Sequence, residues 1–137
     1  MTFRERLEEA WERSGSLLCV GLDPEPERMP VSDVLSFNRT VIEATADLVC
    51  AYKPNVAFYE RLGATGFSVL KATIEAVPPG VVTVVDAKRG DVGHTARAYA
   101  EALYDALGAD AVTVHAYLGA DSLEPFLGRA DKGVFVV

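Results

Sequence analysis

The chain has 137 residues, 50% hydrophobic and 24% charged, with a formal net charge of −7. That is the composition of one globular domain. The acidic balance argues against a nucleic-acid binder, which carries a basic stripe, and no apolar run reaches the length of a membrane span. The N-terminus, Met1-Thr2-Phe3-Arg4-Glu5-Arg6, is charged and has no signal-peptide core, which points to a cytoplasmic protein. The two cysteines, Cys19 and Cys50, sit in apolar runs and read as buried free thiols. They form no CxxC or Cys/His cluster of the kind that holds zinc.

Thr2 to Ser14 reads as an amphipathic helix, with Thr2 and Glu5 as a capping box and Phe3, Leu7, Ala10 and Trp11 on one face. Leu17 to Leu22 reads as a buried strand leading into the Asp23-Pro24-Glu25-Pro26 loop. Ser32 to Leu48 has helical spacing, with Val34, Leu35, Val41 and Ile42 inward. A short strand, Val49 to Tyr52, ends at Lys53-Pro54-Asn55. Helical pattern returns over Ala57 to Leu62 and Thr65 to Val77. Val81 to Val85, a β-branched run bounded by Pro78-Pro79-Gly80, is a third strand. Gly93 to Leu107 reads as a helix, Ala111 to Val114 as a fourth strand ending at His115, Gly119 to Leu127 as a short helix, and Gly133 to Val137 as a fifth strand.

After one leading helix, strands and helices alternate at about 30 residues per unit. Polar residues recur at successive strand ends: Asp23, Lys53, Asp86 and His115. That is the layout of a (β/α)8, or TIM, barrel mouth. A doubly wound sheet would carry a Gly-rich phosphate loop after its first strand, and Gly21-Leu22-Asp23-Pro24 lacks that spacing. A complete barrel takes roughly 250 residues. The expectation is therefore a single domain over 1–137 that supplies about the first five strands of a barrel and stops within or just after strand five.

The most informative stretch is Asp86-Ala87-Lys88-Arg89-Gly90-Asp91 at the end of the third strand. Residues two apart on a strand share a face, so Asp86 and Lys88 can project together. Gly90 permits a sharp turn that brings Asp91 in from another direction. A cation between two carboxylates at a strand mouth suits chemistry better than packing. Lys53, Lys88 and Arg89 are candidates for a local gathering of cations that would take an anion.

These residues resemble those of orotidine 5′-phosphate decarboxylases. The family's D-x-K-x-x-D motif is matched by Asp86, Lys88 and Asp91, its following threonine by Thr95, its other essential lysine by Lys53, and its first-strand aspartate by Asp23. Tyr117-Leu118-Gly119-Ala120-Asp121-Ser122-Leu123 is similar to the longer-chain bacterial subgroup. That subgroup often has Asn-Pro before the tyrosine, where this chain has His115-Ala116. The resemblance implies loss of carbon dioxide from C6 of orotidine 5′-phosphate to give uridine 5′-phosphate, in pyrimidine biosynthesis. It implies no cofactor and no metal.

The same resemblance implies roles. Lys88, held protonated by nearby carboxylates, stabilises the carbanion-like C6 and delivers a proton. Asp86 lies against the substrate carboxylate. Lys53 and Asp23 bind ribose hydroxyls, and Lys53 extends the charge network. Asp91 and the Thr95 segment enter the neighbouring subunit's site, which implies a homodimer. Plainer readings stand beside these: a rim salt-bridge network, a solvated Lys53, a loop-capping Asp23, and an ordinary first-turn Thr95. His94 and His115 read as structural. Arg89 reads either as a surface residue or as an aid to phosphate or subunit contacts. A doubly wound nucleotide-binding domain would need a phosphate loop that the sequence lacks, and two other functions compete. One is a magnesium-dependent sugar-phosphate lyase, such as a ketogulonate-phosphate decarboxylase or hexulose-phosphate synthase. The other is a half-barrel scaffold with an idle motif.

Overall fold

In the computed structural model, which describes all 137 residues, five parallel strands form one sheet in the order β1-β2-β3-β4-β5. They are β1 (Cys19–Leu22), β2 (Ala51–Pro54), β3 (Val82–Arg89), β4 (Ala111–Val114) and β5 (Gly133–Val136). The helices between them are α1 (Phe3–Ser14), α2 (Val34–Thr45), α3 (Val56–Glu60), α4 (Gly66–Glu75), α5 (Gly93–Ala100) and α6 (Ala120–Leu127). Sequential, all-parallel strands with helices between them are the layout of five consecutive units of a (β/α)8 barrel.

Alternation along the strands separates two faces. Outward residues such as Val85, Val112 and Val114 pack with Val56, Leu70, Leu103 and Phe126 of the helical layer. Inward residues Ala51, Val82, Val84 and Ala111 pack instead against α1, through Ala10, Phe3, Leu7 and Trp11. Thr2 caps α1 in the expected reciprocal box with Glu5. Polar ties then fix α1 across the N-terminal ends of the strands. Arg6 pairs with Asp110 just before β4, and the Arg13 guanidinium donates to the Val49 and Gly80 carbonyls just before β2 and β3. Phe3 lies against Gly133, where an added Cβ would fall 2.5 Å from its ring. The inner face is thus plugged with apolar groups at one end and open at the other.

Several expectations are corrected. β1 is an outer strand with a neighbour on one side only, so just Leu22 of its four residues is buried and Cys19 is exposed. Cys50, on the inner side of the sheet, is buried, and both thiols are free. Leu35 and Val41 are half-buried, and the second inward residue of α2 beside Ile42 is the polar Asn38. The helix after β3 is not uniform: α5 passes into a π-helical segment, Glu101–Ala106, where the Leu107 N–H reaches back to the Ala102 carbonyl. β3 does not stop at Val85 but runs through the charged motif to Arg89.

Candidate functional site

A cavity of about 600 Å³ runs along the inner face from α1 to the open end. Lys53, Asp86, Lys88 and Thr113 supply its polar wall, and Trp11, Val84 and Phe135 are among its apolar lining. Three of the four are the next inward position above an apolar one on their strand, Lys53 above Ala51, Asp86 above Val84 and Thr113 above Ala111, while Lys88 follows Asp86. A second cavity, of about 540 Å³, lies at the plugged end. Its arginines, Arg6 and Arg13, are already committed to Asp110 and to backbone carbonyls.

Asp86 is the hub of the open end. Its Oδ1 accepts from Lys88 Nζ at 2.6 Å and from the Thr113 hydroxyl at 2.8 Å, and its Oδ2 accepts from Lys53 Nζ at 3.4 Å. Burial alone would push the Asp86 carboxyl up. The hydrogen bonds from Lys88 and Thr113, with the charges of Lys53 and Lys88, outweigh it and hold the carboxyl below its ordinary value. The Asp86 side chain is only 9% exposed, whereas that of Lys88 is 47% exposed. The carboxylate is therefore withdrawn, and the ammonium it holds is presented to whatever enters the cavity.

The backbone aims that ammonium. Lys88 has φ +48°, the only positive φ at a non-glycine residue. Its N–H donates to the Thr113 hydroxyl at 2.9 Å. Next to it, Arg89 turns outward. Its guanidinium donates to the Ala87 carbonyl at 3.0 Å and to Glu60 Oε1 at 2.6 Å, and lies 5.2 Å from the Tyr99 ring centroid. The expected gathering of three cations is thus a pair, Lys53 and Lys88, with Arg89 clamping the end of β3 to the helical layer. Gly90 also differs from expectation. It has no positive φ; an added Cβ would lie 3.0 Å from the His115 carbonyl oxygen, so glycine serves close approach rather than a turn.

Asp91 does not flank Lys88 within the chain. It forms no ion pair, and its Oδ1 accepts from the Val92 N–H next to it. The cation between two carboxylates expected from the motif is, in this chain, a carboxylate between two cations. Thr95 sits half-buried in the first turn of α5 and makes no side-chain hydrogen bond. Asp23 is exposed just past β1, and its carboxylate is unpaired. His94 and His115 are exposed; His115 Nδ1 lies 3.4 Å from the Val137 carbonyl oxygen.

Two groups escaped the sequence reading. Thr113 looked like one more β-branched residue of a buried strand, and only its register opposite Asp86 gives it a role. Behind β1, Tyr59 donates to the Leu22 carbonyl at 3.0 Å and accepts from Asn38 Nδ2 at 3.0 Å, while Asn38 also donates to Thr73. Three polar residues, all but inaccessible, thus anchor the strand end that carries Asp23. Asn38 Oδ1 is the one buried side-chain polar atom without a partner.

This constellation can hold a protonated amine against an anionic or electron-rich centre and deliver a proton to it. The family model described as orotidine 5′-phosphate decarboxylase / HUMPS family matches residues 16–137. The chain belongs to this family. It is 52% identical over 143 residues to orotidine 5′-phosphate decarboxylase of Thermomicrobium roseum, covering 100% of this chain and 51% of that protein. It is 55% identical over 138 residues to the Dehalococcoides mccartyi (strain BAV1) protein of the same name, again covering 100% and 51%. Among solved structures, Leishmania donovani OMP decarboxylase superposes with a TM-score of 0.91 at 46% identity, over 99% of this chain and 53% of that one. The Methanocaldococcus jannaschii orotidine 5′-monophosphate decarboxylase, at 22% identity and TM-score 0.66 over 88% of this chain and 53% of its own, shares the fold. The chain spans about half the length of the curated relatives it matches, and its five strands are the corresponding half of a (β/α)8 barrel.

Proposed function

We propose that the protein to which these 137 residues belong decarboxylates orotidine 5′-phosphate to uridine 5′-phosphate, without a cofactor. The observation that carries this is the Lys88 ammonium held 2.6 Å from a withdrawn Asp86 carboxylate at the open end of the barrel. Loss of carbon dioxide leaves electron density at C6 with no adjacent sink. A fixed cation stabilises that charge as it develops, and a proton from Lys88 quenches it. Asp86 keeps Lys88 charged and oriented and faces the departing carboxylate. Lys53, on the other oxygen of Asp86, and Asp23, at the end of β1, contact the ribose hydroxyls.

Asp91 and Thr95 act across a homodimer interface. Within the chain Asp91 forms no ion pair and Thr95 no side-chain hydrogen bond, which supports this, because a carboxylate just past the site with no ion pair of its own is available to a second subunit. The five strands are the first part of one barrel domain, completed by sequence beyond Val137. Phosphate contacts belong to that later part, since loops after the late strands bind phosphate in this fold. The isolated 137 residues accordingly have little turnover. The protein works in the cytoplasm, apart from membranes and nucleic acid; no helix is long and apolar enough to cross a membrane.

The test is loss of the orotate chromophore when orotidine 5′-phosphate meets the full-length gene product in excess chelator. Rapid loss supports the proposal. A folded full-length protein that leaves the substrate intact, yet acts on a sugar phosphate once magnesium is added, would replace it with the lyase reading.

A further inference from the structure

β3 and β4 lose their regular register beside the motif. Val85 pairs with Val112 and Arg89 with Val114, so three residues of β3, Asp86 to Lys88, face Thr113 alone. Such a bulge leaves backbone groups without their ladder partners. It also places Lys88 at φ +48°, a region that side chains other than glycine rarely adopt. The Lys88 N–H finds the Thr113 hydroxyl at 2.9 Å. The same hydroxyl lies 2.8 Å from Asp86 Oδ1, and Thr113 is only 7% exposed.

A hydroxyl has one hydrogen and two lone pairs. The Lys88 N–H can only donate, so it takes a lone pair. The single hydrogen is then free for Asp86 Oδ1, which also accepts from Lys88 Nζ. Protonation of Asp86 would weaken Oδ1 as the acceptor that the threonine hydrogen and Lys88 Nζ share. The arrangement therefore favours Asp86 as a carboxylate with Lys88 in its left-handed conformation.

We propose that Thr113 is a positioning residue for the reaction, its hydroxyl standing in for the ladder partner lost at the β3 bulge and fixing Lys88 and Asp86 together. With Thr113 only 7% exposed and its hydroxyl occupied by both neighbours, it acts through the two members of the ion pair. This inference rests on the decarboxylase reading of the site.

The experiment compares Thr113→Val, Thr113→Ser and Thr113→Ala in the full-length protein, with folding checked by circular dichroism. Valine keeps the shape and removes the hydroxyl; serine keeps the hydroxyl and removes the methyl. Losing a buried hydrogen bond to a charged group lowers kcat on the order of 10- to 100-fold. KM should move by less than about threefold, since ground-state binding is untouched. The acidic limb of the kcat profile shifts to higher pH in Thr113→Val, because Asp86 loses a donor, and Thr113→Ser restores both rate and limb. If valine does not fold, alanine against serine isolates the hydroxyl in the same way. Asp86 is titrated in the same proteins through its carboxyl-carbon resonance. A wild type inert toward orotidine 5′-phosphate removes the proposed function, and the Asp86 titration still decides the role of Thr113. A folded hydroxyl-less variant with unchanged kcat or an unchanged Asp86 midpoint overturns the inference.

Discussion

Replacing Tyr59 with phenylalanine removes one oxygen atom from the most buried polar network of the chain. That hydroxyl donates to the Leu22 carbonyl and accepts from Asn38 Nδ2, both at 3.0 Å. Tyr59 is 1% exposed, Asn38 0% and Leu22 2%, so water cannot replace either bond. Burial pushes the Tyr59 hydroxyl well above its ordinary pKa, against the opposing hydrogen bond from Asn38, so it stays a donor through neutral pH. After the substitution one carbonyl and one amide N–H are buried without partners, at about 1–3 kcal/mol each. Asn38 keeps its bond to Thr73, and the phenyl ring still fills the space, which limits the total to about 2–4 kcal/mol. That is a large share of a typical stability of about 5–15 kcal/mol. Urea unfolding of the full-length protein would show a lower midpoint with an unchanged slope. Since Leu22 precedes Asp23, KM for orotidine 5′-phosphate should rise more than kcat falls. A midpoint change worth less than about 0.5 kcal/mol would refute the network's contribution.

Gly133→Ala should cost about 1–3 kcal/mol by overpacking, because its Cβ would lie 2.5–2.6 Å from the Phe3 ring. Phe3→Leu in the same protein should recover part of the lost melting temperature, and full additivity of the two would refute the contact. Asp86, held below the ordinary carboxylate range, contributes stability that is complete above about pH 4 and lost as pH falls through its lower folded value. The stability gap between wild type and Asp86→Asn, measured by denaturant titration at several pH values, should therefore narrow on acidification; a gap independent of pH would contradict the ion-pair geometry. If Asp91 works across a dimer interface, Lys88→Ala and Asp91→Ala proteins, each nearly inactive, should regain about a quarter of wild-type activity when unfolded and refolded together. No recovery from a confirmed mixed dimer would place Asp91 in its own subunit's site.

The order of elements was legible because β-branched runs and helical spacing alternate without ambiguity from Val81 to Val137. Asp86 and Lys88 were legible as partners because strand periodicity places them on one face. What strand periodicity misses is the bulge: it assumes uniform backbone, and so it could not reveal the left-handed Lys88, the outward Arg89 or the part played by Thr113. Asp91 was misplaced for a related reason. Proximity in sequence suggested a contact with Lys88 that the chain, leaving β3, does not make. Asn38 was passed over because an asparagine in an otherwise amphipathic helix reads as surface, and only the meeting of α2, α3 and α4 supplies its buried partners. Cys19 was read as buried from its apolar neighbours, whereas burial of β1 depends on which strands flank it. The π-helical segment carries no local signal: Glu-Ala-Leu-Tyr-Asp-Ala suits an α-helix equally well.

The central claim is that the Lys88 ammonium, mounted on Asp86, performs the chemistry. Its most direct test is single-turnover consumption of orotidine 5′-phosphate by full-length wild type and Lys88→Ala, both folded and both saturated with substrate. The account predicts fast loss of the orotate chromophore in the wild type and a rate lower on the order of 10²- to 10⁴-fold, or beyond detection, in the variant. A Lys88→Ala protein that decarboxylates within a few-fold of the wild-type rate would contradict it.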